Sequence, residues 1–523
     1  MQFMNAIKQT LDNEMNVSIT ENGAVGYRTT GKELLDLNFA TASLRKMSDE
    51  EVVQRFIRAF CEDKILAMKW LFYARDVRQG LGERRLFRVV LASLVNSNPE
   101  MVIPVINLTP EYGRFDDLWC LLDNPDSAVA VYKIVDTQLA QDFNNMLANK
   151  PISLLAKWMP SINASSPKTK EYGKKLAKAL RLTEREYRKA LSKLRKHMDV
   201  VEVKMSNKNW SEIKYEAVPS RANLIYNNAF LRNDEDRRRE YLGQLERGET
   251  KINASTLFPH DIVNKYTGGG HSAKSKDATI EALWKALPNT VNGCGNTIVV
   301  ADGSGSMTTR VDPKSRVSAL DVANALAIYF AERSSGQFRD AYITFSENPQ
   351  LVDLSHCDSL HAKLQTARAH NEVANTNIEK VFDLILTSAI NNHMSQEDLP
   401  ANILIISDME FDACATCGAS GYRDMWGYWS GPRIAPSSRL FNEIAKRYSD
   451  AGYKMPRLVF WNVNSRTGTI PVKENKLGVA LVSGFSVNVA KMVISGKTDP
   501  FECLLETLNS ERYTPVENAL RAQ

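Results

Sequence analysis

The chain has 523 residues, of which 43% are hydrophobic and 24% charged, with a formal net charge of +5 at pH 7. That length exceeds one ordinary hydrophobic core and predicts two or more domains. No run of about 18 apolar residues occurs and the N-terminus lacks the apolar core of a secretion signal, which argues against a membrane span and against export.

Seven cysteines, odd in number and scattered, do not read as a disulfide framework, and a reducing cytoplasm fits best. The charge is unevenly placed. Residues 1–266 carry 41 basic and 34 acidic side chains, and residues 267–523 carry 25 and 27. Lys168–Lys196 alone holds 12 basic against 3 acidic. A polyanion is the partner to expect of the first half.

Residues 1–40 are polar, and Gly23, Gly26, Thr29, Thr30 and Gly31 predict turns or a short hairpin. Ser48-Asp-Glu-Glu51 is a capping box, followed by Val52, Val53, Phe56, Ile57 and Phe60 at helical spacing. A second helix over Asp63–Arg75 is almost wholly apolar and reads as deeply packed. A two-glycine turn, Gln79-Gly-Leu-Gly82, leads to a third helix over Glu83–Val95. Arg75, Arg78, Arg84, Arg85 and Arg88 surround that turn. They suit phosphate oxygens, or equally ion pairs with Asp76, Glu83 and other carboxylates. Asp116 and Asp117 open a further helix, as the dipole favours. Helices follow over Ala128–Asn149 and Pro151–Met159, and no strand-like alternation occurs between 48 and 200. Successive helical hairpins predict an α-solenoid.

Lys168–Lys196 reads as two helices, the second opened by the capping box Thr183-Glu-Arg-Glu186. Tyr187, Leu191 and Leu194 supply its inward face. Lys174, Lys175, Lys178, Arg181, Arg185, Arg188, Lys189, Lys193 and Lys196 make a one-signed face. An ordinary solvated helix mixes signs, so nucleic-acid backbone contact is expected here. Trp158, Tyr172, Tyr187, Trp210 and Tyr215 flank the region and, where exposed, suit base stacking. Val200–Lys204 reads as a short strand or extended crossing, and Asp234–Leu245 as a charged helix. Gly268, Gly269 and Gly270 begin a Gly/Ser-rich connection.

The second half alternates strands with helices. Strands are predicted at 297–301, 341–346, 350–354, 402–406, 457–463 and 479–482. Helices fall at 318–334, 359–367, 377–391, 437–448, 487–493 and 502–511. This order gives a mainly parallel sheet with helices on both faces and ligands at the carboxyl ends of the strands. Asp302-Gly-Ser304-Gly-Ser306 stands at such an end. A carboxylate and two hydroxyls at alternate positions suit a hard cation such as Mg²⁺. The plainer reading is a serine-capped strand-to-helix turn. Asp408 closes another apolar run, Ile403–Ser407. No histidine or cysteine lies within these segments and no general base is evident, so catalysis is not expected. Cys414-Ala-Thr-Cys417 is at most half a zinc site.

The order Asp302-x-Ser304-x-Ser306, then Thr376 before a helix, then Asp408, resembles the metal-ion-dependent adhesion site (MIDAS) of von Willebrand factor A (vWA) domains. The resemblance implies a Rossmann-like fold over about residues 295–500 and a divalent cation on those five residues. It also implies docking of an acidic protein partner. A helical first half joined to such a domain looks like the Ro autoantigen (TROVE) family. Gln79-Gly-Leu-Gly-Glu-Arg84 is similar in character to a stretch of that family. A closer likeness is to an uncharacterised plant, bacterial and viral family. Its landmarks appear as Tyr73–Arg78, Tyr112–Asp117, Leu155–Pro160, Val203–Ser206, Lys251–Ala254 and Leu257–Pro259. The combined expectation is an α + α/β protein. Residues 1–266 form a HEAT-like domain able to close into a ring, 267–290 a linker, and 291–523 a vWA domain. The Ro likeness implies a cytoplasmic ribonucleoprotein, not an enzyme, that binds small non-coding RNA or aberrant single-stranded ends. Arg75, Arg78, Arg84, Arg85 and the Lys174–Lys196 cations would be its RNA contacts. The competing expectation is an Mg²⁺-dependent protein adaptor without RNA.

Overall fold

The computed structural model describes residues 4, 15–20, 25–198, 200–267, 275–291, 296–345, 348–371, 378–410, 422–423, 429–430, 438–471, 479–489 and 499–522. Thr376, Cys414 and Cys417 lie outside them. The chain forms two compact units that do not follow a linear cut. Residues 1–48, 258–277 and 287–507 make the sheet unit, and residues 49–257, 278–286 and 508–523 the helical unit.

The chain opens with the antiparallel hairpin β1 (Val17–Ile19) and β2 (Val25–Tyr27), then α1 (Glu33–Phe39). The helical unit follows as α2 (Asp49–Glu62), α3 (Lys64–Arg75), α4 (Arg84–Ser97), α5 (Pro99–Val102), α6 (Thr109–Tyr112) and α7 (Pro125–Leu147). It continues with α8 (Leu155–Trp158), α9 (Pro167–Ala179), α10 (Glu184–His197), α11 (Val201–Ser206), α12 (Ser220–Asn233) and α13 (Glu235–Glu246). Asp63 caps α3 through Leu66 N, and Thr183 and Glu186 close the expected capping box on α10. As its composition demands, α3 is buried from Ala67 to Arg75. Phe72 meets Phe87 edge-on at 5.3 Å and Tyr112 at 5.2 Å. Val200–Lys204 is not a strand: α11 starts there, with Val201 buried and Met205 one turn on. Helix formation here outweighs the β preference of Val200, Val201 and Val203.

Charge inside this unit is compensated. Asp117, with no solvent exposure, accepts from Arg75 Nε at 2.8 Å, Arg88 Nε at 2.6 Å and Arg114 N at 2.9 Å. Gly113 must be glycine here, because a Cβ would stand 2.4 Å from Asp117 Oδ2. Asp76 is equally buried and binds Arg512 Nε at 2.8 Å. The chain end, α21 (Thr514–Arg521), thus belongs to the helical unit, where Glu517 also pairs with Lys69 at 2.8 Å.

Between these segments run α14 (Pro259–Thr267), α15 (Ala278–Lys285), β3 (Thr297–Asp302), α16 (Ala319–Arg333), β4 (Ala341–Phe345) and β5 (Leu351–Asp353). Then come α17 (Leu360–Ala369), α18 (Ile378–Asn391), β6 (Asn402–Ser407), β7 (Tyr422–Arg423), β8 (Trp429–Ser430) and α19 (Ser438–Asp450). The sheet unit closes with β9 (Arg457–Asn462), β10 (Ala480–Ser483) and α20 (Pro500–Leu508). Its main sheet has the order β10-β9-β6-β3-β4-β5, parallel except for β5, which is antiparallel. Ile298, Val300, Ile403, Ile405, Leu458 and Phe460 pack with Val381 and Phe382 of α18 and Tyr448 of α19. Alternation sends Val299, Leu404 and Trp461 to the other face, where Trp461 meets Phe330 of α16 edge-on at 5.6 Å. Helices on both faces leave the carboxyl ends of the strands open to carry a site. Among the described residues no helix is long and apolar enough to cross a membrane.

Asp117→Ala should cost about 3–5 kcal/mol, because it leaves the buried Arg75 guanidinium without its counter-charge and Arg88 with Asp116 alone. Urea unfolding checks this, and a loss under about 1 kcal/mol would contradict the assigned role.

Candidate functional site

Two candidate regions come from the sequence, one in each unit. In the sheet unit, β3 and β6 are adjacent and in parallel register, with Ala301 beside Ile406. Their ends therefore bring Asp302 and Asp408 to one edge. Asp302 is 2% exposed and Asp408 has no exposure. Ser407 Oγ donates to Asp302 Oδ2 at 2.6 Å, and Ser304 N to Asp302 Oδ1 at 2.9 Å. The Ser304 and Ser306 hydroxyls lie 2.9 Å apart. Glu410 N donates to Asp408 Oδ1 at 3.2 Å. Asp408 Oδ2 is buried with no hydrogen-bond partner. The Arg466 guanidinium stands 3.7 Å from that oxygen.

Burial pushes the Asp408 carboxyl up to about 7, helped by the neighbouring Asp302 charge and opposed by Ser306, the Glu410 N–H and Arg466. Lys46 is also within electrostatic reach. Burial and Arg466 lower its pKa, while Asp408 acts to raise it. Two carboxylates and two hydroxyls with one oxygen unpartnered are a donor set for a hard cation. Thr376, the remaining expected ligand, lies outside the described residues. Among the described residues, no group of three His, Cys, Asp or Glu side chains is placed to hold a metal. Any cation here would rely on the hydroxyls as well as the carboxylates.

Sequence reasoning missed the support of this edge. Met409 has φ +63, a left-handed conformation strained for a residue with a Cβ. It turns the chain so that Glu410, 1% exposed, accepts from Arg466 N at 2.7 Å and Thr467 N at 2.9 Å. Glu410 thereby fixes the loop that carries Arg466. Its place two residues after Asp408 was the only visible signal, and nothing in sequence marked Arg466 or Lys46.

In the helical unit the two groups of expected RNA-contact cations separate. Arg75 is 2% exposed and pairs with Asp117 at 2.7 Å. Arg78 donates to Glu111 O and Arg85 pairs with Asp49. Arg84 is exposed; partial burial of its guanidinium and the neighbouring Arg114 and Arg88 lower its pKa, and Asp116 and Asp117 act to raise it. These arginines mainly organise the fold around the glycine turn. The landmark segments Tyr73–Arg78 and Tyr112–Asp117 meet there, as Arg75 with Asp117 and Val77 N with Tyr112 O.

The α9–α10 pair differs. Lys174 and Lys175 have acidic partners, Glu184 at 3.5 Å and Asp123 at 3.0 Å. Lys178, Arg181, Arg185, Arg188, Lys189, Lys193 and Lys196 are exposed, and none forms an ion pair among the described residues. Tyr187, Leu191 and Leu194 are buried, as expected of the inward face. Tyr187 and Tyr215 are therefore not open for stacking, and Trp158 is covered by the Arg114 guanidinium at 4.0 Å.

The Asp408 shift has a defined sign. Its folded pKa lies above the ordinary 3.8, so the native state holds the proton more tightly than the unfolded chain. Stability from this group is complete below about pH 4 and falls as pH rises towards 7. In chelator-containing buffer the wild type should lose stability between pH 5 and 7, and Asp408→Asn should flatten that slope. Parallel pH curves for the two proteins would contradict the burial argument.

Residues 296–516 match the Domain of unknown function (DUF7788), and residues 129–297 match the Domain of unknown function (DUF2828). An uncharacterized protein of Acanthamoeba polyphaga mimivirus is 30% identical over 547 aligned residues, which cover 96% of this chain and 89% of the viral protein. At that identity over nearly its whole length, the chain belongs to one family with the mimivirus protein.

Proposed function

We propose that this is a non-catalytic RNA-binding protein whose helical unit holds the RNA backbone on α9 and α10. The observation that carries the reading is the row Lys178, Arg181, Arg185, Arg188, Lys189, Lys193 and Lys196, exposed and without ion pairs among the described residues. Around the glycine turn, by contrast, Arg75 and Arg88 are both matched to Asp117. An unmatched one-signed face is the electrostatic footprint of a polyanion. Small structured RNA or an unpaired strand both present the required phosphates. The Ro-like reading, with helical hairpins as a HEAT-like array beside a vWA domain, is supported by the helix succession and by the sheet order.

Within this proposal the sheet edge takes a divalent cation, Mg²⁺ for preference, on Asp302, Ser304, Ser306 and Asp408, with Thr376 as the further ligand. The buried Asp408 Oδ2 supports it, since it makes no hydrogen bond and its only close cation, among the described residues, is the Arg466 guanidinium at 3.7 Å. When bound, the ion supplies an open coordination position for an acidic residue of a protein partner. The same oxygen favours a second reading, an Mg²⁺-dependent adaptor that binds no RNA.

One titration separates them. The purified full chain is mixed with a labelled single-stranded RNA at several salt concentrations. The RNA reading predicts binding that weakens steeply with salt. Reversing Lys189, Lys193 and Lys196 to Glu should flatten the log–log salt slope by about 2, because roughly 0.7 counterions are released per single-strand phosphate contact. Unchanged affinity in that variant would remove RNA from this face. No binding by the wild type, together with partner capture that needs Mg²⁺ and Asp302, would establish the adaptor instead.

A further inference from the structure

A groove of about 430 Å³ opens in the helical unit between α10, α11 and the turn at Ser161 and Ile162. That volume is within the range of small-ligand sites. Its less polar lining is Ile162, Tyr187, Leu191 and Val203, beside Arg188, Arg195 and Lys196, and among the described residues no carboxylate lines it. Arg195 was not among the residues singled out from sequence. Its guanidinium is fixed by two neutral acceptors, with Nε donating to Ala156 O at 2.8 Å and Nη2 to Met159 O at 3.0 Å. Those carbonyls belong to α8 and the residue that follows it, so the cation is oriented before any ligand arrives. Burial lowers its pKa, and the neighbouring Tyr187 acts to raise it. Among the described residues it has no carboxylate partner, and a part-buried guanidinium so fixed is completed by an anion.

The groove is more than a phosphate site. An aliphatic floor beside three cations matches the two halves of a nucleotide, one planar and apolar on its faces, the other anionic. Arg188, Ser192 and Lys196 follow at four-residue steps along one face of α10, about 12 Å from first to last. Arg185, Lys189 and Lys193 continue the positive charge on the same helix.

We propose that this groove seats one nucleotide of a single RNA strand, its base against Ile162, Leu191 and Val203 and its phosphate on Arg188, Arg195 and Lys196. The inference rests on the RNA reading above and adds to it a place and a residue, Arg195.

The test fills the groove without changing charge. Ser192 and Asn207 both line it and both are exposed. Ser192→Trp and Asn207→Trp, on different helical segments, should each weaken binding of a fluorescein-labelled 12-mer oligouridylate by about 10-fold, the lower end of the loss of one base contact. Thermal melting identifies a variant that has failed to fold, and the other then carries the test. Uridine monophosphate in excess should displace the oligomer from the wild type. If both folded variants bind the oligomer as the wild type does, the groove assignment falls and the RNA reading stands. If the wild type does not bind the oligomer, both fall. If the monophosphate binds saturably and the oligomer does not, the occupant is a free nucleotide and the strand assignment is overturned.

Discussion

A charge removed from water needs a partner, and the helical unit is arranged around that constraint. Asp117, fully buried, is shared by Arg75 and Arg88. Asp76, equally buried, holds Arg512 and so ties the last helix of the chain to α3 and the turn after it. The sheet unit follows the same rule at its helices, where Lys363 takes both Glu332 and Asp340, and Arg447 takes Glu379 and Asp383. Leaving one member of such a pair alone costs several kcal/mol, whereas matched pairs are close to neutral. The carboxylates named here are thus matched to cations within each unit.

Two places break the rule, and both have functional readings. At the sheet edge, two carboxylates on adjacent strands stand together, and Asp408 Oδ2 has no hydrogen bond. Burial and the Asp302 charge draw a proton to Asp408, and the Arg466 guanidinium stands 3.7 Å from its free oxygen. On α9 and α10 the imbalance has the opposite sign and lies in solvent, where it costs little and attracts polyanions over a Debye length. Arg195 links that face to the groove beneath it, since its fixed guanidinium lines the cavity that the surface lysines border.

The sheet site was readable because each of its carboxylates ends an apolar run, and parallel strands order their ends along one edge. That pattern sets Asp302 and Asp408 at one edge, and there the structure has them. Nothing comparable marked Glu410 and Arg466, whose positions differ by 56 in sequence. The arginines show the same limit more sharply. Arg75 and Arg188 look alike in sequence, each basic and on a helix, yet one is sealed against Asp117 and the other faces solvent. Which of the two an arginine becomes depends on a carboxylate contributed from elsewhere, 42 residues away for Arg75. The final helix was hidden for a related reason. Its amphipathic pattern reads the same against either core, and only Lys69 and Asp76 show which one receives it.

Whether the α9–α10 face and its groove hold RNA, as proposed, is read most directly by ultraviolet crosslinking of the full chain to RNA, with adducts located by peptide mass spectrometry. RNA on that face gives adducts concentrated in peptides between Lys168 and Asn207, and their loss when Lys189, Lys193 and Lys196 are reversed. An absence of adducts, or adducts confined to the sheet unit, would contradict it.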